Sequence, residues 1–229
     1  MSKPRAIDLF SGLGGFSLGL ERAGMQTVAF CEIDPYCRRV LAKHWPDVPI
    51  YDDVRTLTAS RGVADLVCGG FPCQPFSTSS RGRRRGREDD RFLWPEMLRI
   101  VSECEPAWVV GENVVGLSGV DFDAVVSDLE CAGYEVSTLE IPACAVGHDH
   151  WRPRLWFLGY ADRNGQPIRA EHAEVAVISG RRPDAGSARA AHGLSGRLDG
   201  HRRRALGNAV VPQIPELIGR AIMTLEPRP

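Results

Sequence analysis

From Arg5 to Gly133, short apolar runs alternate with segments of helical period, and most runs end in a turn of Gly, Pro or acidic residues. That alternation constrains the fold more than any other feature of the chain. Arg5 to Phe10 reads as a strand, Ser11-Gly12-Leu13-Gly14-Gly15 as a tight turn, and Phe16, Leu20 and Ala23 as one face of a helix stopped by Gly24. Gln26 to Cys31 is a second strand ending in Glu32-Ile33-Asp34, and Pro35 opens a helix that Tyr36 to Trp45 continue. Asp53 closes a short third strand region, and Ala64 to Cys68 forms the fourth strand. Phe92 to Cys104 is a helix and Ala107 to Gly111 a strand, with Glu112-Asn113-Val114 following it. Asp121 caps a helix whose Phe122, Val125, Val126 and Leu129 follow i, i+3, i+4, i+7, and Gly133 ends it. Tyr134 to Pro142 and Leu155 to Tyr160 are two further strands, and Ile214 to Leu225 is a closing helix. Strands alternating with helices predict an α/β fold with a mostly parallel sheet covered by helices on both faces.

Two stretches break the pattern. Phe71 to Arg91 is a long loop without periodicity, and loops of that length in compact domains are usually functional or disordered. Asp162 to Gly200 is a small irregular segment rich in Gly, Arg, Ala and Ser, with Val175 to Ile178 as its one strand-like run. The expected organisation is a core over 1–161, a reduced segment over 162–200, and a return to the core over 201–229. At 229 residues and 43% hydrophobic composition, a sizeable core is affordable. Net charge is only -1, but from His150 to Arg204 eleven arginines face five acids, and a second arginine cluster occupies Arg81 to Arg91. Local basic excess suits a polyanion, or simply a solvated surface. Seven cysteines without a C-x-x-C pair argue against a disulfide framework and a zinc site, so no metal is expected. Apart from Cys73, the cysteines read as small buried apolar groups. No apolar run is long enough to span a bilayer and no signal peptide is evident, which predicts a cytoplasmic protein without membrane contact.

Single motifs carry limited weight. The turn between Asp8 and Gly15 lets backbone approach a ligand, yet it lacks the full G-x-G-x-x-G pattern and such turns also serve helix–sheet packing. Glu32 ends the next strand, where an acid can hydrogen-bond ribose hydroxyls, so the two together suggest an adenosine-containing cofactor, with or without phosphates. Asp53 alone would be a loop-surface acid. Cys73 stands between Pro72 and Gln74-Pro75 on a strand-end turn, a setting that holds a thiol reachable, and it is the candidate nucleophile. Glu112 is a candidate acid at a strand end. Arg152 and Arg154, two apart on an extended segment, should share a face that suits an anionic or carbonyl-bearing ligand.

Taken in order, these motifs make a specific pattern. Glycine turn, Phe71-Pro72-Cys73-Gln74, Glu112-Asn113-Val114, Arg152-x-Arg154 and Gly207-Asn208-Ala209-Val210-Val211-Pro212 resemble the DNA (cytosine-5-)-methyltransferase family, from Ile7 to Tyr160 and again from His201 to Leu225. The resemblance implies a Rossmann-like S-adenosylmethionine-dependent methyltransferase fold with an unusually short target-recognition region. It implies that Phe10, Gly12 and Gly14 form the S-adenosylmethionine turn, Glu32 binds the ribose, Ile33 packs on the adenine and Asp53 binds its amino group, with Asn208 and Val210 as the last wall. It implies Cys73 as the nucleophile toward cytosine C6, Glu112 as the group on the N3/N4 edge, Arg154 at O2 and Arg152 in support. Ser79 corresponds to the loop residue that approaches the space left by a flipped base, and Arg81, Arg83, Arg84 and Arg85 are placed to bind phosphates. The implied partner is double-stranded DNA, in a bacterial or phage-encoded setting, with a cognate restriction enzyme and no obligate protein partner.

The chain departs from the family in two places. His150 stands where the family's Gln-x-Arg-x-Arg has Gln, and residues 162–200 replace a much larger recognition domain. A tRNA-methylating relative shares the Pro-Cys-Gln run, but its Cys-Phe-Thr run has no counterpart here, which favours DNA over RNA. A non-catalytic DNA-binding homologue would have no need of Cys73, Glu112 and Arg154 together, and a dehydrogenase would leave the Pro-Cys loop unexplained.

Overall fold

A computed structural model describes residues 2–72, 92–117, 119–161, 176–177 and 205–225. Cys73, Ser79, Arg81, Arg83, Arg84 and Arg85 lie outside these residues, as does the segment 162–200 apart from Ala176–Val177.

Eight strands form one sheet: β1 (Arg5–Leu9), β2 (Gln26–Cys31), β3 (Ile50–Tyr51), β4 (Leu66–Gly69), β5 (Trp108–Val114), β6 (Glu135–Pro142), β7 (Pro153–Tyr160) and β8 (Ala176–Val177). Their spatial order is β3-β2-β1-β4-β5-β7-β6-β8. Every pairing from β3 to β5 is parallel, β7 runs antiparallel between β5 and β6, and β8 pairs parallel with β6. Among the described residues the longer helices are α1 (Gly15–Arg22), α2 (Pro35–His44), α3 (Trp94–Cys104), α4 (Gly119–Cys131) and α5 (Gln213–Leu225). The mostly parallel α/β sheet expected from the sequence is present.

Side-chain alternation splits the core in two. Ile7, Leu9, Val67, Val109, Leu155 and Phe157 point to the face covered by α3 and α4, where Met97, Ile100, Val101, Val125 and Leu129 are buried. Ala6, Leu66, Cys68, Val110 and Trp156 point to the other face, against Phe16 and Leu20 of α1 and Ile214, Ile218 and Ile222 of α5. Helices α1 and α5 approach closely because Gly19 leaves room: a Cβ there would stand 2.3 Å from the Pro212 carbonyl oxygen. Asp34 caps α2 by accepting from the Tyr36 and Cys37 N–H groups, with Pro35 in the first turn as expected.

The chain runs from β1 outward through β2 to β3, then returns to place β4 on the other side of β1. That reversal leaves a crevice beyond the carboxyl ends of β1 and β4, the place where open α/β sheets bind ligands. The glycine turn after Leu9 and the Gly70-Phe71-Pro72 run after Gly69 both leave the sheet there.

Three local expectations change. Strand β5 continues through Glu112, Asn113 and Val114, because the antiparallel partner β7 pairs with all seven of its residues. Asp121 is not the cap of α4 but lies in its first turn, since the helix already begins at Gly119. Of the cysteines expected to be buried, Cys31, Cys37, Cys68 and Cys104 are, whereas Cys131 is exposed at the end of α4 and Cys144 is half-buried.

Candidate active site

Backbone geometry at the end of β1 is unusual. Phe10 has φ 54, a conformation that costs a non-glycine residue on the order of 1–3 kcal/mol. Ser11 holds it there: its N–H donates to the Cys31 carbonyl at 3.1 Å, its hydroxyl donates to the Asp8 carbonyl, and its own carbonyl accepts from Gly14 N–H at 2.8 Å. Gly12 follows at φ 54 and turns its N–H onto Glu32 Oε2 at 2.7 Å. Glu32 Oε1 accepts from Asp34 N–H at 2.7 Å, so the carboxylate is fixed by backbone on both oxygens. Arg38 bonds the carbonyls of Glu32 and Ile33 from below, at 3.2 and 3.1 Å.

These groups open into one cleft of about 520 Å³. Phe10, Gly12, Glu32, Ile33, Asp53, Glu112, Arg154, Asn208 and Val210 all line it, which gathers nine of the predicted site residues from six separate parts of the chain. Ile33 is 65% exposed at its wall, an apolar surface open to a flat ring. Asp53 accepts from Arg55 N–H at 2.9 Å and projects from the turn after β3.

Gly14 does not line the cleft. It is the N-cap of α1 at φ 80, and a Cβ there would stand 2.6 Å from the Trp45 ring. Trp45 cannot yield easily, because its Nε1–H is bonded to both Glu21 carboxylate oxygens at 2.9 Å and its ring packs edge-on against Phe30. Gly14→Ala is therefore expected to destabilise the fold by about 1–3 kcal/mol through steric overpacking, with further strain from the left-handed backbone. Thermal unfolding checks this, and an unchanged midpoint would contradict it.

The far end of the cleft holds Glu112. Register places Glu112 opposite Trp156 and Val114 opposite Arg154, so Arg154 is the diagonal neighbour of Glu112 on the same face. Arg154 Nε donates to Glu112 Oε1 at 2.9 Å, and a Cβ on Gly70 would stand 3.1 Å from Oε2. Burial pushes the Glu112 carboxyl above its ordinary value, against the opposing pull of Arg154 and Arg152. The carboxyl thus keeps a proton to higher pH than an exposed glutamate while staying aligned by a cation.

Arg152 does not share that task. Its φ of 30 breaks the extended backbone, so the two arginines are not the matched pair that their i, i+2 spacing suggested. The Arg152 guanidinium instead donates to the Gly207 and Ala209 carbonyls at 2.7 and 3.1 Å. It ties the segment bearing Asn208 and Val210 to the Glu112 side of the cleft.

Two contributors carried no role in the sequence reading. Asn113 is buried, and its Nδ2 donates to the Phe71 carbonyl at 3.1 Å, fixing the chain two residues before Cys73. Phe71 is fixed further by rings of Trp94 and Phe157, at centroid distances of 5.1 and 6.2 Å. Asp8 is fully buried and its Oδ2 accepts from Ser17 Oγ at 2.7 Å, joining β1 to α1 behind the turn. A polar residue at an inward position of a strand is the signal for Asp8, and the Glu-Asn pair is the signal for Asn113.

Burial raises Asp8 to about 8 despite the Ser17 bonds. Below the unfolded value of 3.8 the proton is bound in both states; between there and about 8 only the folded chain retains it. Its contribution to stability is therefore present at low pH and lost as pH rises through that window. The melting temperature of Asp8→Asn relative to the parent is expected to rise between about pH 4 and about pH 8 and to level off above that; a difference constant with pH would contradict this.

The glycine-turn end of the cleft is acidic: Glu32, Asp34, Asp52 and Asp53 line it, with Arg55 as the cation on that side. Phosphates would meet carboxylates there, and the Gly12 N–H that a pyrophosphate would need is already donated to Glu32. The lining fits a nucleoside carrying positive charge and no phosphate, which the sequence had left open. The family model for C-5 cytosine-specific DNA methylase matches residues 4–184.

The chain belongs to the C-5 cytosine-specific DNA methylase family.

Among family relatives, the Type II methyltransferase M.DsaV of Dactylococcopsis salina is 33% identical over 71% of this chain and 47% of its own length. Type II methyltransferase M.NgoMIV of Neisseria gonorrhoeae is 33% identical over 67% of this chain and 50% of its own. The chain thus spans about half the length of the curated relatives it matches. In fold, it resembles a solved structure of Spodoptera frugiperda DNMT2 with TM-score 0.62, 19% identity, and coverage of 79% of this chain and 56% of that one. The methylase fold is the Rossmann-like one of S-adenosylmethionine-dependent enzymes. Among the described residues, no helix is long and apolar enough to cross a membrane, and no cluster of His, Cys, Asp or Glu could hold a metal.

Proposed function

We propose that the chain methylates C5 of cytosine in duplex DNA, with Cys73 as covalent nucleophile and the cleft as the shared site of methyl donor and base. The observation that carries this reading is the half-buried Glu112–Arg154 pair, 2.9 Å apart, in the same cleft as Glu32 and Asp53. A protonatable acid aligned by arginine suits the edge of a pyrimidine, and acids fixed beside a glycine turn suit a nucleoside.

Glu32 would hold the ribose, Asp53 the adenine amino group, and Ile33 one face of the ring, with Phe10, Gly12, Asn208 and Val210 closing the site. When bound there, S-adenosylmethionine supplies an electrophilic methyl group from its sulfonium. The remaining chemistry falls to the chain. Cytosine C5 is a poor nucleophile until the Cys73 thiolate adds at C6, which moves electron density onto C5. Glu112 holds a proton at N3 and so offsets the charge that develops on the ring, in a site where burial strengthens the effect. Arg154 keeps the acid aligned and reaches toward O2, and Arg152 acts through the Gly207 to Ala209 backbone rather than on the base. Loss of the C5 proton then expels Cys73. The base must leave the duplex first, at a cost of a few kcal/mol. Ser79, Arg81, Arg83, Arg84 and Arg85 follow Cys73 closely enough in sequence to contact the opened duplex and its phosphates. Residues 162–200 would read the sequence, as a small unit distinct from 1–161 and 201–229. The likeness to Type II methyltransferases supports a bacterial cytoplasmic setting and a restriction endonuclease as the activity opposed.

Incubation with methyl-labelled S-adenosylmethionine and either mixed-sequence duplex DNA or tRNA tests this reading. Label recovered as 5-methylcytosine from DNA is expected. Label in tRNA alone, or tight DNA binding without transfer, would overturn it.

A further inference from the structure

The connection from β3 to β4 contains no helix. Residues 52–65 cross as turns and coil, so their backbone groups cannot satisfy one another as a helix would. This connection nevertheless places Asp52, Asp53 and Val54 on the cleft and buries Val54 and Leu57. Within it, the Thr56 and Leu57 N–H groups donate to the Asp53 carbonyl at 3.2 and 3.1 Å, which closes a single turn.

Helix α3 supplies the missing partners from one side chain. Arg99 Nη2 donates to the Val54 carbonyl at 2.7 Å, and Nη1 donates to the Leu57 carbonyl at 3.0 Å. The guanidinium is itself aimed by two acids on α3, with Nε on Glu96 at 2.9 Å and Nη1 on Glu103 at 2.7 Å. The other Glu103 oxygen accepts from Ala59 N–H at 2.9 Å, so the acid grips the same connection two residues beyond Leu57. That N–H, with Arg99 beside it, holds the Glu103 carboxyl below its ordinary value. Pairs at i, i+3 and i, i+4 on a helix ordinarily contribute little and point to solvent. Here the fork bridges to carbonyls 42 and 45 residues away, a use that only a planar guanidinium with several fixed donors can serve.

The geometry points to Arg99, with Glu103, as a positioning residue for adenine recognition: it sets the turn that presents Asp53 to the cleft without touching the ligand. This rests on the proposal that Asp53 binds the adenine amino group.

The test is the ratio of dissociation constants for S-inosylhomocysteine and S-adenosylhomocysteine, measured by calorimetry well below each variant's melting temperature. The inosyl analogue has a carbonyl oxygen in place of the amino group, so an acceptor rather than a donor faces Asp53 at that position. A general loosening of the fold weakens both ligands and leaves the ratio alone, so the ratio reports on Asp53 placement. The parent protein is expected to favour the adenosyl ligand by about tenfold or more, the scale of a hydrogen bond to a charged acceptor. Asp53→Ala is expected to bring the ratio near one. Arg99→Met is expected to lower it at least about threefold, mostly by weakening the adenosyl ligand, with Arg99→Lys intermediate because an ammonium reaches one carbonyl but not both. If Asp53→Ala collapses the ratio while both Arg99 variants keep the parental one, the inference fails and the adenine assignment stands. If Asp53→Ala keeps the ratio, the adenine assignment fails and the inference with it. Should Arg99→Met not fold, the Arg99→Lys ratio decides alone.

Discussion

Glu112→Gln is expected to leave the KM for DNA within a few-fold and to lower kcat for methyl transfer by about 10²–10³, the range for loss of a general acid or of a preorganised charge. Glutamine presents an N–H and a carbonyl oxygen side by side, as a protonated glutamate presents its hydroxyl and carbonyl. It can therefore still meet N3 and the N4 amino group of cytosine. It cannot move a proton, and it loses the ion pair with Arg154 at 2.9 Å. Glu112→Ala removes binding and chemistry together and leaves the half-buried Arg154 without its carboxylate partner, so KM should rise as kcat falls. Steady-state kinetics on one duplex separate the two variants. Equal KM for both, or full kcat in Glu112→Gln, would remove Glu112 from the role assigned to it.

Cys73→Ala should abolish transfer, with turnover down by about 10⁴ or more, because the other two thiols among the described residues that line the cleft, Cys31 and Cys37, are buried beside Glu32 and pushed up to about 12. Binding of S-adenosylhomocysteine should be unchanged, since Phe10, Glu32, Ile33 and Asp53 reach the cleft from other strand ends. Titration of the ligand into Cys73→Ala checks that the variant is folded, and labelled transfer checks the loss. Residual transfer at a tenth of the parental rate would be incompatible with a covalent route through Cys73.

The strand and helix order was legible because each element writes its own period: Phe16 and Leu20, or Val125 and Leu129, face the sheet as their spacing requires. Glu32 and Glu112 could be found because both stand at or near strand ends, where an open sheet collects its ligands. What failed depended on neighbours that sequence does not display. Strand β5 outran its apolar run because β7 pairs alongside it, and hydrogen bonds across a ladder extend a strand past the end of its hydrophobic signal. Arg152 bonds the Gly207 and Ala209 carbonyls rather than Glu112, and its φ of 30 departs from the extended backbone that the i, i+2 spacing assumes. Gly14 looked like a ligand glycine by position, yet the ring that needs the space belongs to Trp45, 31 residues on in sequence. Arg99 was invisible for the opposite reason. Arginine among glutamates on a helix reads as a solvated face, and only the bare β3–β4 connection packed against it makes the fork a brace.

Acidity around the glycine turn is the feature that converts fold into chemistry. The same turn with free N–H groups would suit a pyrophosphate; with Gly12 bonded to Glu32 and three more carboxylates on the wall, it suits a phosphate-free, positively charged nucleoside. Under the proposed function the two ends of the cleft have complementary uses, one for the donor and one for the base, joined by a backbone that Asn113, Arg152 and Phe71 hold in place.

The central claim is that this cleft brings a cytosine to Cys73. Intact-protein mass spectrometry after incubation with S-adenosylmethionine and a mixed-sequence duplex carrying 5-fluorocytosine tests it most directly, because fluorine at C5 cannot leave as a proton does and so arrests elimination of the thiol. The account predicts a stable protein–DNA adduct that maps to the Cys73 peptide and is absent from Cys73→Ala. Formation of 5-methylcytosine in ordinary DNA with no adduct on the fluorinated duplex, or an adduct on any other residue, would contradict it.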